Sequence, residues 1–123
     1  MLILARELAE SVASPVFIVD ADGTLIFYNE RAEQVLGLRF EEAGEMSREE
    51  WGSRWYPEDP DTGHVPLEDL PLTIAVLQHR PAHRPLTIIG SDGVQRAIEV
   101  TAYPLMARGD RFVGAMAIFW EAS

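Results

Sequence analysis

Three histidines, twenty carboxylates and ten cationic side chains, every one of them arginine, are the groups of this 123-residue sequence from which chemistry could be built, and no cysteine accompanies them. His79 and His83 stand four positions apart in LTIAVLQHRPAH, residues 72–83. On an unbroken helix that spacing stacks two imidazoles on one face and suits a metal ion. Pro81 lies between them, and running a helix through a proline costs about 3 kcal/mol. The pair is therefore expected to be split, with His79 closing a helix and His83 in a loop. Glu58, Asp59 and Asp61 resemble part of a calcium loop, but Pro60 interrupts them and the acid of the twelfth position is missing. The lack of cysteine excludes disulfides, thiolate nucleophiles and every sulfur-ligated metal site. For proton abstraction by a buried acid only Glu99 and the turn acids Asp20 or Asp22 offer themselves, and no nucleophile–base–orienter set is legible. The expectation is a non-catalytic chain without a metal site.

The net charge of −10 is unevenly spread. Residues 41–69 hold ten acids against Arg48 and Arg54, a local balance of −8, which leaves −2 for the other 94 residues. Nucleic acid is not an expected partner, because phosphate binding needs clustered cations. The acidic stretch reads as a solvated connecting segment, with a surface for a basic partner or a carboxylate cation site as the sharper alternatives. No apolar run approaches the roughly 20 residues that span a bilayer, and the N-terminus has no cleavage pattern, so a cytoplasmic location is expected.

Elements must position these groups. Residues 2–13 place Leu4, Leu8 and Val12 at helical spacing. A short amphipathic helix cannot bury its stripe alone, so residues 1–13 are expected as an N-terminal helix contributing to homodimerisation, and residues 14–123 as one domain. VFIVD and TLIFY read as strands joined by a tight ADG turn; Asn29 then caps a helix that Gly37 ends. Ser47 and Glu50 fit a capping box, and Trp51 with Trp55 gives the following helix one aromatic face. YPEDPDTGHVP is turn material. Pro71 suits the first turn of a helix that runs to about His79. RPLTIIG, VQRAIEVTAYPL and RFVGAMAIFWE follow as an antiparallel meander. Alternation sets Ile98, Val100 and Ala102 against Glu99, Thr101 and Tyr103, while the last strand is apolar on both faces. The pattern predicts an α+β domain: a five-stranded antiparallel sheet with helices grouped on one face.

VFIVDADGTLIFYNERAEQVLG resembles the opening of a Per-Arnt-Sim (PAS) domain, LEDLPLTIAVLQHRP its long helix, and SDGVQRAIEVTAYPL with GDRFVGAMAIF its closing hairpin. The resemblance covers about residues 12–120 and rests on the order and spacing of the three blocks. It implies a sensory module of signal transduction, of the two-component kind, which dimerises and passes a ligand-dependent change to an effector domain or a separate signalling protein. With alternation it nominates a pocket between sheet and long helix: Phe17, Val19, Leu86, Ile88, Ile98, Val100, Ala102, Gly114 and Met116 facing Leu72 and Val76. Such letters suit a small apolar or aromatic ligand, unless the side chains simply fill the core, and a ligand-free interaction adaptor is the alternative role. In that role the acidic segment with Trp51, Trp55 and Tyr56 would contact the partner.

The cofactor is left unknown. The flavin-photosensor branch of the resemblance requires a cysteine and prefers a glutamine where this chain has Met116, which argues against flavin and against cysteine-linked chromophores. The haem-binding branch hangs iron on a histidine of the long helix, a role only His79 could fill here; seven residues after Leu72 and three after Val76, it shares their face and is the twelfth pocket candidate. QHRPAHRP looks instead like an ordinary helix end and loop.

Overall fold

A computed structural model describes residues 13–122. The expected N-terminal helix, with Leu4, Leu8 and Val12, lies outside the described residues. Strands β1 (Val16–Asp20) and β2 (Leu25–Tyr28) form a hairpin; helices α1 (Glu30–Leu36), α2 (Phe40–Ala43) and α3 (Arg48–Arg54) follow. Two-residue strands β3 (Glu58–Asp59) and β4 (Gly63–His64), a 3-10 turn at Leu67–Asp69 and helix α4 (Pro71–Gln78) lead to β5 (Ala82–Ile89), β6 (Gln95–Ala107) and β7 (Arg111–Glu121). All strand pairs are antiparallel, in the order β2-β1-β7-β6-β5-β3-β4. The sheet thus has seven strands where the sequence pattern predicts five. The two extra strands arise in the turn material, where the Asp59 Oδ1 accepts from the backbone N–H groups of Asp61 and Thr62 and closes a minimal hairpin. No period-2 pattern could announce strands of two residues.

The hairpin-to-helix junction is fixed by one buried side chain. Asn29 Oδ1 accepts from Ala32 N, capping α1, and from Val16 N at the start of β1, while its Nδ2 donates to the Ser14 carbonyl. Gly37 ends α1 in the left-handed region at φ 69°, and a Cβ there would sit 2.8 Å from the backbone nitrogen of Asp92. The capping box of Ser47 and Glu50 starts α3, and Pro71 opens α4, both as predicted. Arg96 ties the β5–β6 turn to α1, donating to the Val35 carbonyl at 2.8 Å and pairing with Asp92 at 2.9 Å.

One continuous core lies between the sheet's inner face and the helices. It holds Phe17, Val19, Leu25 and Tyr28 from the hairpin, Trp51 and Trp55 from the α3 region, and Leu72, Ala75 and Val76 from α4. The central strands complete it with Leu86, Ile88, Ile98, Val100, Ala102, Ala115, Ala117 and Phe119. A second cluster, Val16, Ile18 and Phe27 with Met116 and Ile118 against it, occupies the outer face.

Register decides the orientation of β7. Directly paired residues of antiparallel strands point to the same face, so the pairing of Phe17 with Ala117 and of Ile18 with Met116 turns Ala117 inward and Met116 outward. Gly114 shares the parity of Met116. The expectation that both face the inner cavity is therefore corrected: Ala115, Ala117 and Phe119 face the inner core instead, and Ala117 and Phe119 line the cavity. An all-apolar strand cannot reveal its own phase, because alternation carries no contrast.

Candidate functional site

Beneath α4 the core leaves an apolar cavity of about 100 Å³. The sheet supplies Phe17, Leu86, Ile88, Ile98, Val100, Ala117 and Phe119 to its wall; α1 adds Leu36, and the start of α4 adds Leu70, Pro71 and Leu72. Trp51, Trp55 and Pro57 close it from the α3 side. No lining side chain carries a charge. The indole N–H groups of the cavity wall and the neighbouring Tyr28 hydroxyl are already engaged, whereas the buried Thr73 hydroxyl of α4, outside the lining, has no partner among the described residues. Trp51 Nε1 donates to the Gly23 carbonyl at 2.8 Å, Trp55 Nε1 to Ser91 Oγ at 3.1 Å, and the adjacent Tyr28 hydroxyl to the Leu38 carbonyl at 2.8 Å. Phe17 packs edge-on against both tryptophans and stacks with Tyr28. Burial, with Glu33 nearby, pushes the Tyr28 phenol well above its ordinary range, so that it stays a donor. The cavity wall therefore presents carbon and aromatic faces.

Six of the twelve nominated residues line this cavity: Phe17, Leu72, Leu86, Ile88, Ile98 and Val100. Val19, Val76 and Ala102 are buried in the same core without lining it. His79 does not enter it. The residue adopts φ 52° as the C-cap of α4, is exposed, and stacks its ring on Phe112 at 4.0 Å. The reading of His79 on the Leu72–Val76 face fails because the helix ends one residue sooner than helical geometry would need. His83, expected in a loop, lies in β5 on the sheet's outer face.

The other eight wall residues, Leu36, Trp51, Trp55, Pro57, Leu70, Pro71, Ala117 and Phe119, are not among those that pattern nominates for the pocket. The i, i+4 tryptophan pair was itself the signal, since two indoles on one short helix cover more apolar surface than a solvated segment can leave exposed. Trp51 and Trp55 are 6% and 4% exposed, so neither is available to a partner; Tyr56, at 67%, is.

A hydroxyl–imidazole–carboxylate row does form, against expectation. His83 Nδ1 lies 2.8 Å from Thr101 Oγ1 and His83 Nε2 2.8 Å from Glu99 Oε1. It runs across neighbouring strands on the face opposite the cavity, so it braces the outer sheet rather than facing the cavity. The Asp59 carboxylate, once considered for calcium, is held low by the backbone N–H groups of Asp61 and Thr62, and pairs with Arg84 at 3.3 Å. No group of three or more metal-ligating side chains occurs among the described residues.

The sequence matches the family described as PAS fold over residues 9–123. The chain belongs to the PAS-fold family. Among solved structures it is similar to the PAS domain of Bordetella pertussis BvgS, at 13% identity and TM-score 0.66, covering 99% of this chain and 85% of that one. The PAS domain of nitrogen regulation protein NR(II) from Vibrio parahaemolyticus is 16% identical with TM-score 0.65, covering 97% and 98%. A LOV protein of Rhodobacter sphaeroides is 13% identical with TM-score 0.74, covering 99% and 67%. No curated protein matches. PAS domains are in general non-catalytic sensory modules, and no helix among the described residues is long and apolar enough to cross a membrane.

Proposed function

We propose that this PAS domain is a non-catalytic, homodimeric signalling module that senses a small apolar or aromatic molecule in the cavity under α4. The observation that carries this reading is the cavity itself, with about 100 Å³ of space, a wall of uncharged side chains, and both indole N–H groups of that wall already donated. An enclosed apolar cavity of roughly 150 Å³ stays dry and takes up benzene, and a recess lined in the same way by carbon and aromatic faces favours an apolar occupant over water. The space is well under the roughly 300–1,000 Å³ of drug-sized sites, which disfavours haem and flavin and favours molecules of benzene size or smaller.

Dimerisation is supported by the outer sheet face, where Met116, Ile118, Tyr103 and Leu105 are only half-buried and Trp120 is exposed. Residues 2–13 are the second contributor, and the output goes to an effector domain or a separate signalling protein. Replacing Leu4 and Leu8 with glutamate is expected to give a folded monomer in light scattering; a persistent dimer would move the interface wholly onto the sheet.

Benzene is the probe for the ligand reading. A binder of the native state stabilises by RT ln(1 + [L]/Kd), about 2.7 kcal/mol at a hundredfold excess over Kd. A saturable rise in melting temperature with benzene, absent with the equally small but polar formamide, supports the sensor. No rise at saturating benzene overturns it in favour of a ligand-free adaptor.

A further inference from the structure

On the far side of α3 from the cavity lies a groove of about 430 Å³. Helix α3 is the shared wall. Trp51 points to the cavity, while Glu49, Gly52 and Ser53 face the groove; Pro57 lines both. Val65 and Pro57 lie buried beneath the groove and the half-buried Leu67 is its accessible apolar side chain; its lining carries the carboxylates of Glu49 and Glu58 and the side chains of Tyr56 and His64. Gly52 permits this shape, because a Cβ there would collide with the Leu67 side chain.

Three features give the groove a preference. No arginine lines it, and it sits within the segment of balance −8. Glu49 and Glu58 are exposed and enter no ion pair among the described residues, unlike Asp59 beside them, which Arg84 occupies. Tyr56, in the left-handed region at φ 50°, displays its ring at 67% exposure, where a guanidinium can stack.

We infer that this groove docks a cationic, amphipathic peptide segment of a partner protein, an apolar side chain seated on Leu67 and flanking arginines on Glu49, Glu58 and Tyr56. Charge complementarity selects this occupant: an acidic or neutral segment would leave the carboxylates facing like charge or nothing, whereas arginines engage them directly. The inference stands apart from ligand sensing, since the groove and cavity are separate spaces.

The test is an NMR titration of the ¹⁵N-labelled protein with an N-acetylated, C-amidated Arg-Leu-Arg-Arg-Leu-Arg peptide and its Glu-Leu-Glu-Glu-Leu-Glu counterpart. The expected result is saturable shifts centred on residues 49–67 with the basic peptide only. The double variant Glu49→Arg/Glu58→Arg should weaken binding at least about tenfold while keeping a native spectrum. Tyr56→Leu, which keeps an apolar side chain, should weaken it about threefold, in line with loss of one exposed cation–π contact. Shifts centred on the outer sheet face, equal binding of the acidic peptide, undiminished binding by the folded double variant, or no binding at all would each overturn the inference.

Discussion

Filling the cavity is the sharpest perturbation available, and Ala117→Val does it with two methyl groups. Ala117 lies in the middle of β7, paired with Phe17 on one side and Ala102 on the other, and its side chain borders the vacant space. At about 24 cal/mol per Å³, a cavity of about 100 Å³ forgoes about 2.4 kcal/mol of packing. Two added methyls return at most about 1.6 kcal/mol of transfer free energy at ~0.8 kcal/mol each, and β-branching suits a strand. Overpacking against Phe17 and Val100 subtracts from this, so the net gain should be about 1 kcal/mol. For a domain of this size that is a rise of about 3–5 °C in Tm. Urea denaturation reads the change as a higher midpoint at unchanged slope. The same variant should lose the response to benzene. A loss of more than about 1 kcal/mol together with an intact benzene response would refute the reasoning, since Ala117 would then not border the space that benzene enters.

Three further outcomes follow from particular side chains. Asn29→Ala removes the acceptor shared by Val16 N and Ala32 N and the donor to Ser14, leaving buried backbone groups unpaired, and should cost about 2–4 kcal/mol in denaturant unfolding; a cost below about 1 kcal/mol would mean that water replaces it. Asp92, held low chiefly by its hydrogen bonds from Arg96, and Asp59, held low by the backbone N–H groups of Asp61 and Thr62, ionise more readily folded than unfolded. The stability they lend is present above the ordinary carboxylate range near pH 4 and is lost as pH falls below it; Asp92→Asn should flatten the acid limb of the Tm–pH curve, and an unchanged limb would exclude Asp92 as a contributor. The Tyr28 phenol is pushed the other way by burial, so it supports the fold below about pH 10 and withdraws that support above; spectrophotometric titration should show one tyrosine ionising only as the protein unfolds, and Tyr28→Phe should abolish that late step.

Local chemistry was readable wherever a single residue type had one conformational use. Asn29 at the N-cap, Gly37 at the left-handed C-cap, the Ser47–Glu50 box and Pro71 in a first turn are short-range devices whose partners lie within a few residues. Strands with polar–apolar contrast were equally legible: Ile98, Val100 and Ala102 face the core and Glu99, Thr101 and Tyr103 face outward, as alternation requires. Legibility failed where contrast was missing. In β7 both faces are apolar, so alternation does not separate Met116 and Gly114, which face outward, from the inward Ala117. It failed again at His79, because helical phase was extended through a residue that had already turned left-handed, and at Trp51 and Trp55, because an acidic segment around them suggested solvent.

By itself, then, the sequence determined the family, the order of the longer elements and the caps that bound them, since each depends on contacts between near neighbours or on a periodicity with a polar side. Tertiary structure alone decided the phase of β7, the strand placement of His83, and the shape of the cavity and groove on either side of α3. Those features depend on cross-strand register and on volume left between side chains far apart in the chain, and neither quantity is written in the spacing of residues along it.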